Sequence, residues 1–319
     1  MTSITGATTG GSPLAFNRSP RAELKPWVVR IGVTSVEVPE GHAISCGTFS
    51  EHPAIRHIYG AKWSAETADG HFEYDPGERG LALYFGPCTR MMRLVAHGSF
   101  RVVSIYFAPG GTLGLDLPAQ QDTLDRIIPM DPYTRKPHPA SAYHPRDDAE
   151  DWFRAAEAQL FAAARKARLE PPDPILADFE RLCFTNPNGT VGAFAETIGV
   201  TRRTLERTIR RAWGVSPKVA LRRARALDMA AALLAVAEEQ AAAEMRLRYF
   251  DQSHLNREMR DFFGMTPGQI QAGSHPLLTI TVEMRQSRRL DALAKLGIDE
   301  PRPWRDPAAE PKGNGASRA

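Results

Sequence analysis

The densest group of chemically active side chains in the sequence is a basic segment between Thr201 and Arg225. It contains nine basic residues and one acidic residue, Glu206, so its net charge is +8. Guanidinium and ammonium groups at this density neutralise phosphates and release counterions, which is the chemistry of nucleic-acid binding. A run of charge is also typical of a solvated helix face. The secondary structure that carries the basic residues must therefore decide between this interpretation and nucleic-acid binding. The basic residues are Arg202, Arg203, Arg207, Arg210, Arg211, Lys218, Arg222, Arg223 and Arg225.

The basic segment lies in an internal repeat of about 50 residues. When Thr201–Ala220 is aligned with Asp251–Ile270, apolar, basic, glycine and proline positions coincide. Each copy has an N-cap residue, one apolar stripe and a glycine at the C′ position, which together predict one amphipathic helix. The coincident pairs are Leu205 with Leu255, Arg207 with Arg257, Arg210 with Arg260, Trp213 with Phe263, Gly214 with Gly264 and Pro217 with Pro267.

A short helix is predicted before each of these helices, over Val191–Ile198 and over Ala241–Leu247. A helix, a turn of three or four residues and a second helix form the helix-turn-helix outline. The two units are joined by a predicted helix over Pro217–Val236, whose roughly 20 residues span about 30 Å. One turn of B-DNA is about 34 Å. This connector therefore predicts two recognition helices in successive major grooves of one duplex.

The two units resemble the AraC/XylS family of transcription regulators. The motifs that carry the resemblance are FAETIGVTRRTLERTIRRAWGVSPK and YFDQSHLNREMRDFFGMTP, and it extends over Pro174–Gly273. The segment Val102–Pro129 resembles, more weakly, the barrel-like companion domain of such regulators. The resemblance implies a cytoplasmic, sequence-specific DNA-binding transcription regulator or activator. Its N-terminal domain would sense a small-molecule effector or form a homodimer, and RNA polymerase would be a further partner.

The resemblance also assigns roles to side chains on the two recognition helices. Arginine reads guanine, asparagine and glutamine read adenine, and glutamate accepts from cytosine, so the assigned residue types suit base readout. The base contacts are Arg202, Arg203, Glu206 and Arg207 in the first helix and Gln252, Ser253, His254, Asn256 and Arg257 in the second. The phosphate contacts, which position the protein without specifying sequence, are Arg210, Arg211, Lys218, Arg222 and Arg260.

The second unit departs from the family pattern at two positions. The first unit has the small residue Ala195 and the turn residue Gly199, whereas the second has Glu244 and Arg248. Arginine at a position that favours positive φ is expected to be strained, and a glutamate at the small site is expected to loosen the packing. The second recognition helix is also nearly balanced in charge. We therefore hypothesise that the first unit dominates DNA affinity and that the second is weaker or conformationally plastic.

Outside these units the pattern predicts an α+β multidomain protein. From Trp27 to about Pro109, short strand-like runs, Ile55–Trp63 among them, are separated by turn residues and predict a cupin-like antiparallel barrel or sandwich. His275–Leu296 is compatible with a helix or a loose arm. The predicted organisation is a disordered N-terminus (1–22), a β-rich sensory or dimerisation domain (23–145), a linking helix (146–172), the double helix-turn-helix domain (173–273) and a flexible tail (274–319).

The main competing class is a cupin-like enzyme that binds a small molecule or a metal and has a helical accessory domain. Five histidines of the β part, with Glu51, Glu73 or Cys46, could compose a metal site, but no HxH or HExxH spacing supports it. No nucleophile can be assigned a partner, so no catalytic residue, metal or cofactor is predicted. A protein-interaction module that has lost DNA binding is the third class. The histidines are His42, His52, His57, His71 and His97.

Composition sets outer limits on these classes. Hydrophobic residues at 42% and charged residues at 24% exclude a wholly disordered chain, a collagen and a coiled-coil rod. The longest apolar run, Met229–Ala237, is far shorter than the roughly 18 residues of a membrane span. The N-terminus lacks the pattern of a secretory signal, and Cys46, Cys88 and Cys183 do not form a disulfide framework, so a reducing cytoplasm is predicted. The overall net charge of +3 hides the uneven placement of the basic residues.

Overall fold

The computed structural model describes residues 15–130, 143–144 and 146–298. Its N-terminal domain contains ten strands whose pairings are all antiparallel. One sheet has the strand order β1-β2-β9-β4-β7-β10, and the other has the order β3-β8-β5-β6. The strands are β1 (Ala15–Arg18), β2 (Val28–Val36), β3 (Ile44–Thr48), β4 (Ala54–Gly60), β5 (Trp63–Thr67), β6 (Gly70–Tyr74), β7 (Leu81–Phe85), β8 (Met92–Ala96), β9 (Phe100–Phe107) and β10 (Ile127–Pro129).

The predicted fold class is confirmed: an antiparallel β domain precedes a helical domain, and the two sheets do not close into a barrel. Two local expectations are wrong. The predicted strand Ile55–Trp63 is two strands, because Gly60, at φ +91°, turns the chain between them. The predicted disorder of residues 1–22 fails for Ala15–Arg18, which pair with β2; the first 14 residues lie outside the described part.

A long helix, α1 (Ala149–Ala167), follows the β domain where a linking helix was expected. It begins with a capping box in which Asp148 and Asp151 cap each other's backbone amides. Its apolar stripe, which includes Trp152, Phe153 and Ala156, is buried against the six-stranded sheet. Glu157, which is buried on the same helix, forms ion pairs with Arg18 and Arg21. Helix α1 therefore holds the first strand against the domain.

Seven helices fill the fully described stretch from Pro174 to Ala272. Two of them, α4 and α7, are the expected amphipathic helices of the repeat. The connector α5 has 17 residues rather than about 20, because the chain turns at Leu234 and Ala235; it is therefore about 25 Å long. The helices are α2 (Pro174–Thr185), α3 (Val191–Thr197), α4 (Arg202–Trp213), α5 (Pro217–Leu233), α6 (Glu239–Leu247), α7 (Gln252–Phe263) and α8 (Pro267–Ala272).

The last described element, α9 (Pro276–Ala294), overturns the prediction of a flexible tail over 274–319 for the residues that it includes. It packs against β3 on one side and against α2 and α5 on the other. Its central charged residue, Arg285, is 5% exposed and contacts Glu51 of the β domain and Asp228 of α5. The helix is ordered because it fills the space between the domains; residues 299–319 lie outside the described part.

One hydrophobic cluster extends across both domains. It joins Phe49 and Leu94 of the β domain with Phe263 of α7 and Ile280 of α9. Phe49 lies edge-on to Phe262, with ring centroids 6.0 Å apart, and the Met91 amide donates to the Phe262 carbonyl. The second helix-turn-helix unit therefore shares its core with the β domain, whereas the core of the first unit is a separate cluster. No helix of the described residues is long and apolar enough to cross a membrane.

Candidate nucleic-acid interface

The two amphipathic helices of the repeat begin and end as their sequences predict. The side chains of Thr201 and Asp251 accept hydrogen bonds from the amides of Thr204 and His254, at 3.1 and 2.7 Å. At the C-terminal ends, Gly214 of the first helix and Gly264 of the second take left-handed conformations, with φ near +70°. These caps fix the first residue of each helix and thereby set which side chains face outward.

The outward face of α4 is a surface of guanidinium groups. Leu205, Ile209 and Trp213 are buried, so the residues between them are displayed to solvent. Arg202 pairs with Glu206 at 3.0 Å. Among the described residues, no carboxylate lies within 4.0 Å of the other four exposed arginines, which are Arg203, Arg207, Arg210 and Arg211. α4 thus has four cationic groups available to an anion.

The same four arginines face a loop of the β domain. The 112–124 loop (Thr112–Leu124) and α4 form the two walls of a cleft of about 570 Å³. Beside the cleft the contact is direct: a Cβ at Gly214 would lie 2.9 Å from the Gln120 carbonyl oxygen, and Leu124 packs on the apolar core of the first unit. Sequence reasoning missed this loop, because its contact with α4 joins residues about 90 positions apart.

The outward face of α7 is polar but less charged. Gln252, Ser253 and Arg257 are exposed, and Asn256 is half-buried and accepts a hydrogen bond from Gln252 at 3.3 Å. His254 is half-buried with its ring 5.4 Å from that of Tyr249. These residues form one continuous strip on the helix, as base readout requires. Their assigned contacts, like those of α4, stay predictions.

Three of the nine basic residues in the Thr201–Arg225 segment face the protein rather than the solvent. Arg223 is buried and donates to the carbonyls of Cys88 and Glu51 at 2.8 and 2.9 Å. Arg222 and Arg225 both bond the buried carboxylate of Glu258 on α7. The surface charge of the segment is therefore smaller than +8. Arg222, assigned to phosphate, is engaged with Glu258 in this conformation, so its assigned role stays a prediction.

These ion pairs also change the charge balance of α7. Burial opposes ionisation of Glu258, but hydrogen bonds from Arg225 and Arg222 lower the pKa of its carboxyl below the usual range. Asp261 pairs with Arg222 at 2.9 Å. With these acids engaged, Arg257 and the neighbouring exposed Arg260 are the exposed cations of the helix. The second unit is therefore more basic on its surface than its sequence suggests, although it still has fewer free cations than α4.

The two departures from the family pattern do not have the expected consequences. Arg248 takes a right-handed conformation, with φ −72°, and its guanidinium pairs with Asp228. Both turns have four residues between their helices, and Arg248 is the C-cap of α6 just as Ile198 is the C-cap of α3. The positive φ of the first turn belongs to Gly199, one residue later, so none is needed at Arg248 and the predicted strain is wrong. Glu244 is exposed, while Met245 occupies the inward position. The predicted loosening is therefore wrong too, which removes the basis for a conformationally plastic second unit.

A second cleft, of about 690 Å³, connects the two units. Arg202 from α4, Lys218 from the start of α5 and His254 from α7 line it together with the 187–192 loop. Lys218 is exposed here, which suits a contact with phosphate.

Replacing Lys218 by alanine is expected to weaken binding to all DNA sequences about equally, because a phosphate contact carries no sequence information. The slope of log K against log salt should become shallower by about 0.9 for one lost phosphate contact. Titration of mobility shifts over a range of salt concentrations measures both effects. Lys166→Ala on α1 is the matched control, since that lysine is also exposed. A loss confined to specific sequences would contradict the assignment.

Three of the five candidate histidines in the β domain have other partners. His52 pairs with Glu180 of α2 at 3.1 Å, His71 with Glu66, and His97 with Ser64. No group of three or more potential metal ligands occurs among the residues that the structure describes. These contacts give the competing metalloenzyme hypothesis no support, while the predicted lack of enzymatic activity stays a prediction.

The comparison with protein families agrees with the position of these helices. A family model described as a helix-turn-helix domain matches residues 194–273, from within α3 to the end of α8. The match therefore includes both helix-turn-helix units and the connector between them. No curated protein sequence matches the chain.

Several solved structures are similar to the chain in fold. ToxT from Vibrio cholerae is 9% identical, with a TM-score of 0.44, over 76% of this chain and 99% of that one. The C-terminal domain of AraT, a response regulator from Geobacillus stearothermophilus, is 20% identical, with a TM-score of 0.30, over 33% of this chain and 90% of that domain. The AraC-like transcriptional activator CuxR is 14% identical, with a TM-score of 0.26, over 66% and 85%.

Proposed function

The chain is a DNA-binding transcription regulator with an AraC-type helix-turn-helix domain, and from this premise we propose that a loop of its own β domain controls access to the first recognition helix. α4 and α7 read the operator, and Arg210, Arg211, Lys218 and Arg260 bind phosphates. In the conformation described above, the 112–124 loop lies where DNA would lie beside α4. Specific binding therefore requires this loop to move.

The observation that carries the DNA-binding surface is the set of α4 guanidinium groups that have no carboxylate within 4.0 Å in the part of the chain that the structure describes. Arginine binds guanine O6 and N7 through two hydrogen bonds, and this requires a guanidinium that is not held by a carboxylate. Arg203 and Arg207 meet this condition and lie one turn apart on the outward face of the helix. They are the strongest candidates for base contacts, and Arg210 and Arg211 extend the surface towards the phosphates.

The dimensions of the cleft beside α4 support the control by the loop. A volume of about 570 Å³ is in the range of small-molecule sites, which is about 300–1,000 Å³. A helix in the major groove instead enters a channel about 12 Å wide with a phosphate backbone on each side. If Arg203 and Arg207 face the bases, the 112–124 loop, which lines the same cleft as these arginines, would collide with one of these backbones.

Movement of the loop costs less free energy than separation of the two domains. Separation would expose the shared core around Phe49 and Phe263, and each such side chain loses about 1.5–3 kcal/mol when it returns to water. It would also break the contacts of Arg223 and Arg285 with the β domain. Displacing the loop breaks the contacts of Gln120 and Leu124 with the first unit and some of those that Leu115 and Leu117 make with the core of the β domain, but it leaves the shared core around Phe49 intact.

Control by a small-molecule effector follows naturally from this arrangement. A ligand that binds only one of the two loop positions shifts the equilibrium by its difference in affinity for them. The effector, homodimer formation and contact with RNA polymerase are expectations from the resemblance, and each needs its own experiment.

The proposed DNA binding is tested by selecting DNA sequences with the full chain and footprinting the selected sites. We expect a site with two half-sites about one helical turn apart and affinity that falls steeply with salt. Binding that shows no preference between the selected and scrambled sequences would contradict the proposal.

Leu124→Ala is expected to increase the apparent affinity for the operator about fivefold. A loss of about 1 kcal/mol of loop docking shifts a two-state equilibrium by roughly this factor, and apparent affinity follows the fraction of protein that is competent to bind. Fluorescence anisotropy with labelled operator measures the change. Phe72→Ala, at an exposed position on β6, is the control and should leave affinity unchanged. Unaltered or weaker binding by Leu124→Ala would contradict control by the loop.

A further inference from the structure

The second helix-turn-helix unit has an apolar tip that the assigned DNA contacts do not include. Leu247, the last residue of α6, is 83% exposed, and Phe250, in the turn before α7, is 95% exposed. We call these two side chains the apolar tip. The other exposed large hydrophobic side chains of the described residues range from 44% to 55% exposure. The tip thus presents almost its whole apolar surface to solvent.

The exposure of the tip does not come from a loosely held turn. Tyr249, next to Phe250, is buried, and the guanidinium of Arg225 lies 5.6 Å from the centre of its ring. Arg248 is held by Asp228, and the Tyr249 amide donates to the Arg246 carbonyl at 3.3 Å. Because both residues before it are anchored, the backbone of Phe250 is fixed and its ring is directed away from the core.

The position of Phe250 places it beside the part of α7 that meets the bases. It directly precedes Asp251, the N-cap of α7, and Gln252 and Ser253 of the first turn are exposed. The N-terminal residues of a recognition helix contact base edges in the major groove. A side chain immediately before the N-cap that points outward is then within reach of the same groove.

The chemistry of the groove selects the target of an apolar ring. In the major groove, thymine is the base that presents an apolar group, its 5-methyl, and phenylalanine is among the side chains that contact it. We infer that the ring of Phe250, with Leu247 beside it, packs on thymine methyl groups in the half-site that α7 reads. This inference rests on the proposed function and adds a specificity determinant to it.

A protein partner would need a larger surface than the tip provides. Stable protein interfaces bury about 800 Å² on each partner, whereas the tip consists of two side chains. The exposed arginines nearest to it in sequence are Arg246 on α6 and Arg257 on α7, and the adjacent acid, Asp251, caps α7. An apolar ring with arginines near it in the chain can contact a thymine methyl group while the arginines contact the neighbouring phosphates.

The test couples removal of the ring with removal of the methyl group. The full chain is first used to select an operator, and each thymine in the half-site footprinted by α7 is then replaced by uracil, which lacks the 5-methyl. Affinities of the wild type and of Phe250→Ala are measured for both DNAs. We expect the affinity of the wild type to fall about fourfold for each contacted methyl group that uracil removes. The affinity of Phe250→Ala should be the same for the thymine and the uracil operators. Phe72→Ala, the matched exposed aromatic, should behave as the wild type.

Two results would overturn the inference while leaving the proposed function intact: an α7 half-site without thymine, or the same sensitivity to uracil in the wild type and Phe250→Ala. A reduced transcriptional response of Phe250→Ala with unchanged affinity for the operator would also overturn it, since it would assign the tip to a protein partner. Failure of the wild-type chain to select any sequence would instead overturn the proposed function, and this inference with it.

Discussion

Arg285→Met is expected to lower the free energy of unfolding by about 3–5 kcal/mol, the range for breaking a buried ion pair by removing one partner. The guanidinium contacts Glu51 at 2.5 Å and Asp228 at 3.0 Å, and it donates to the Ala224 carbonyl at 3.2 Å. Methionine fills much of the same volume but removes the ion-pair partner of the buried Glu51 carboxylate and leaves the buried Asp228 carboxylate paired with Arg248 alone. The loss comes mainly from these two groups rather than from the missing contacts.

Urea-induced unfolding followed by circular dichroism measures this effect. Arg202→Met is the control, because Arg202 is 72% exposed and its pair with Glu206 should contribute no more than about 1 kcal/mol. Adding Glu51→Gln to Arg285→Met should recover part of the loss, since it removes the buried carboxylate that has lost its ion-pair partner. If Arg285→Met were no more destabilising than Arg202→Met, α9 would not hold the domains together as its contacts indicate.

Arg207→Ala is expected to weaken specific binding by about 1–3 kcal/mol, or roughly 5- to 150-fold, and to relax the preference at one base pair. The corresponding change in the second unit, Arg257→Ala, is expected to have a smaller effect. α4 has four exposed arginines with no carboxylate partner among the described residues, whereas α7 has Arg257 and Arg260. Arg207 and Arg257 occupy equivalent positions of the repeat, so each serves as the matched control for the other.

The comparison requires the selected operator, a panel of single-base variants and a measurement of thermal stability. Both arginines are exposed, so neither variant should unfold at a lower temperature than the wild type. Equal losses of affinity would contradict the hypothesis that the first unit dominates. An unchanged base preference in Arg207→Ala would remove its assignment as a base contact.

The helix-turn-helix units could be predicted from sequence because their boundaries depend on local chemistry. Thr201 caps α4 through an amide three residues away, and Gly214 ends the helix through its own conformation. The orientation of the basic residues was not predictable in the same way. Arg222 and Arg223 are neighbours in sequence, yet the first bonds Glu258 and the second bonds carbonyls of the β domain. Their partners lie 36 and 135 residues away.

The buried position of α9 was not predicted, because charged and polar residues interrupt its apolar face. Leu278, Val282 and Leu290 are buried in the shared core. Between them Arg285, Gln286, Ser287 and Arg289 are buried too, so the hydrophobic stripe that marks a core helix is not continuous in the sequence. Partners outside the helix make this burial possible: Arg285 meets Glu51, and Arg288 and His52 both meet Glu180. Burial opposes ionisation of Glu180, but these two groups lower the pKa of its carboxyl to about 2.

The place of α9 in the chain has a consequence for folding during synthesis. The ribosome makes both DNA-reading helices before it makes Arg285, and domains generally fold in order from the N-terminus. Until α9 emerges, Glu51 and Asp228 lack their ion pairs with Arg285. The hydrophobic cluster around Phe49 and Leu94 also lacks the side chains that α9 contributes to it. The nascent chain therefore gains its final cooperative stability only after the regulator's DNA-binding units have left the ribosome, which couples maturation of the regulator to one late helix.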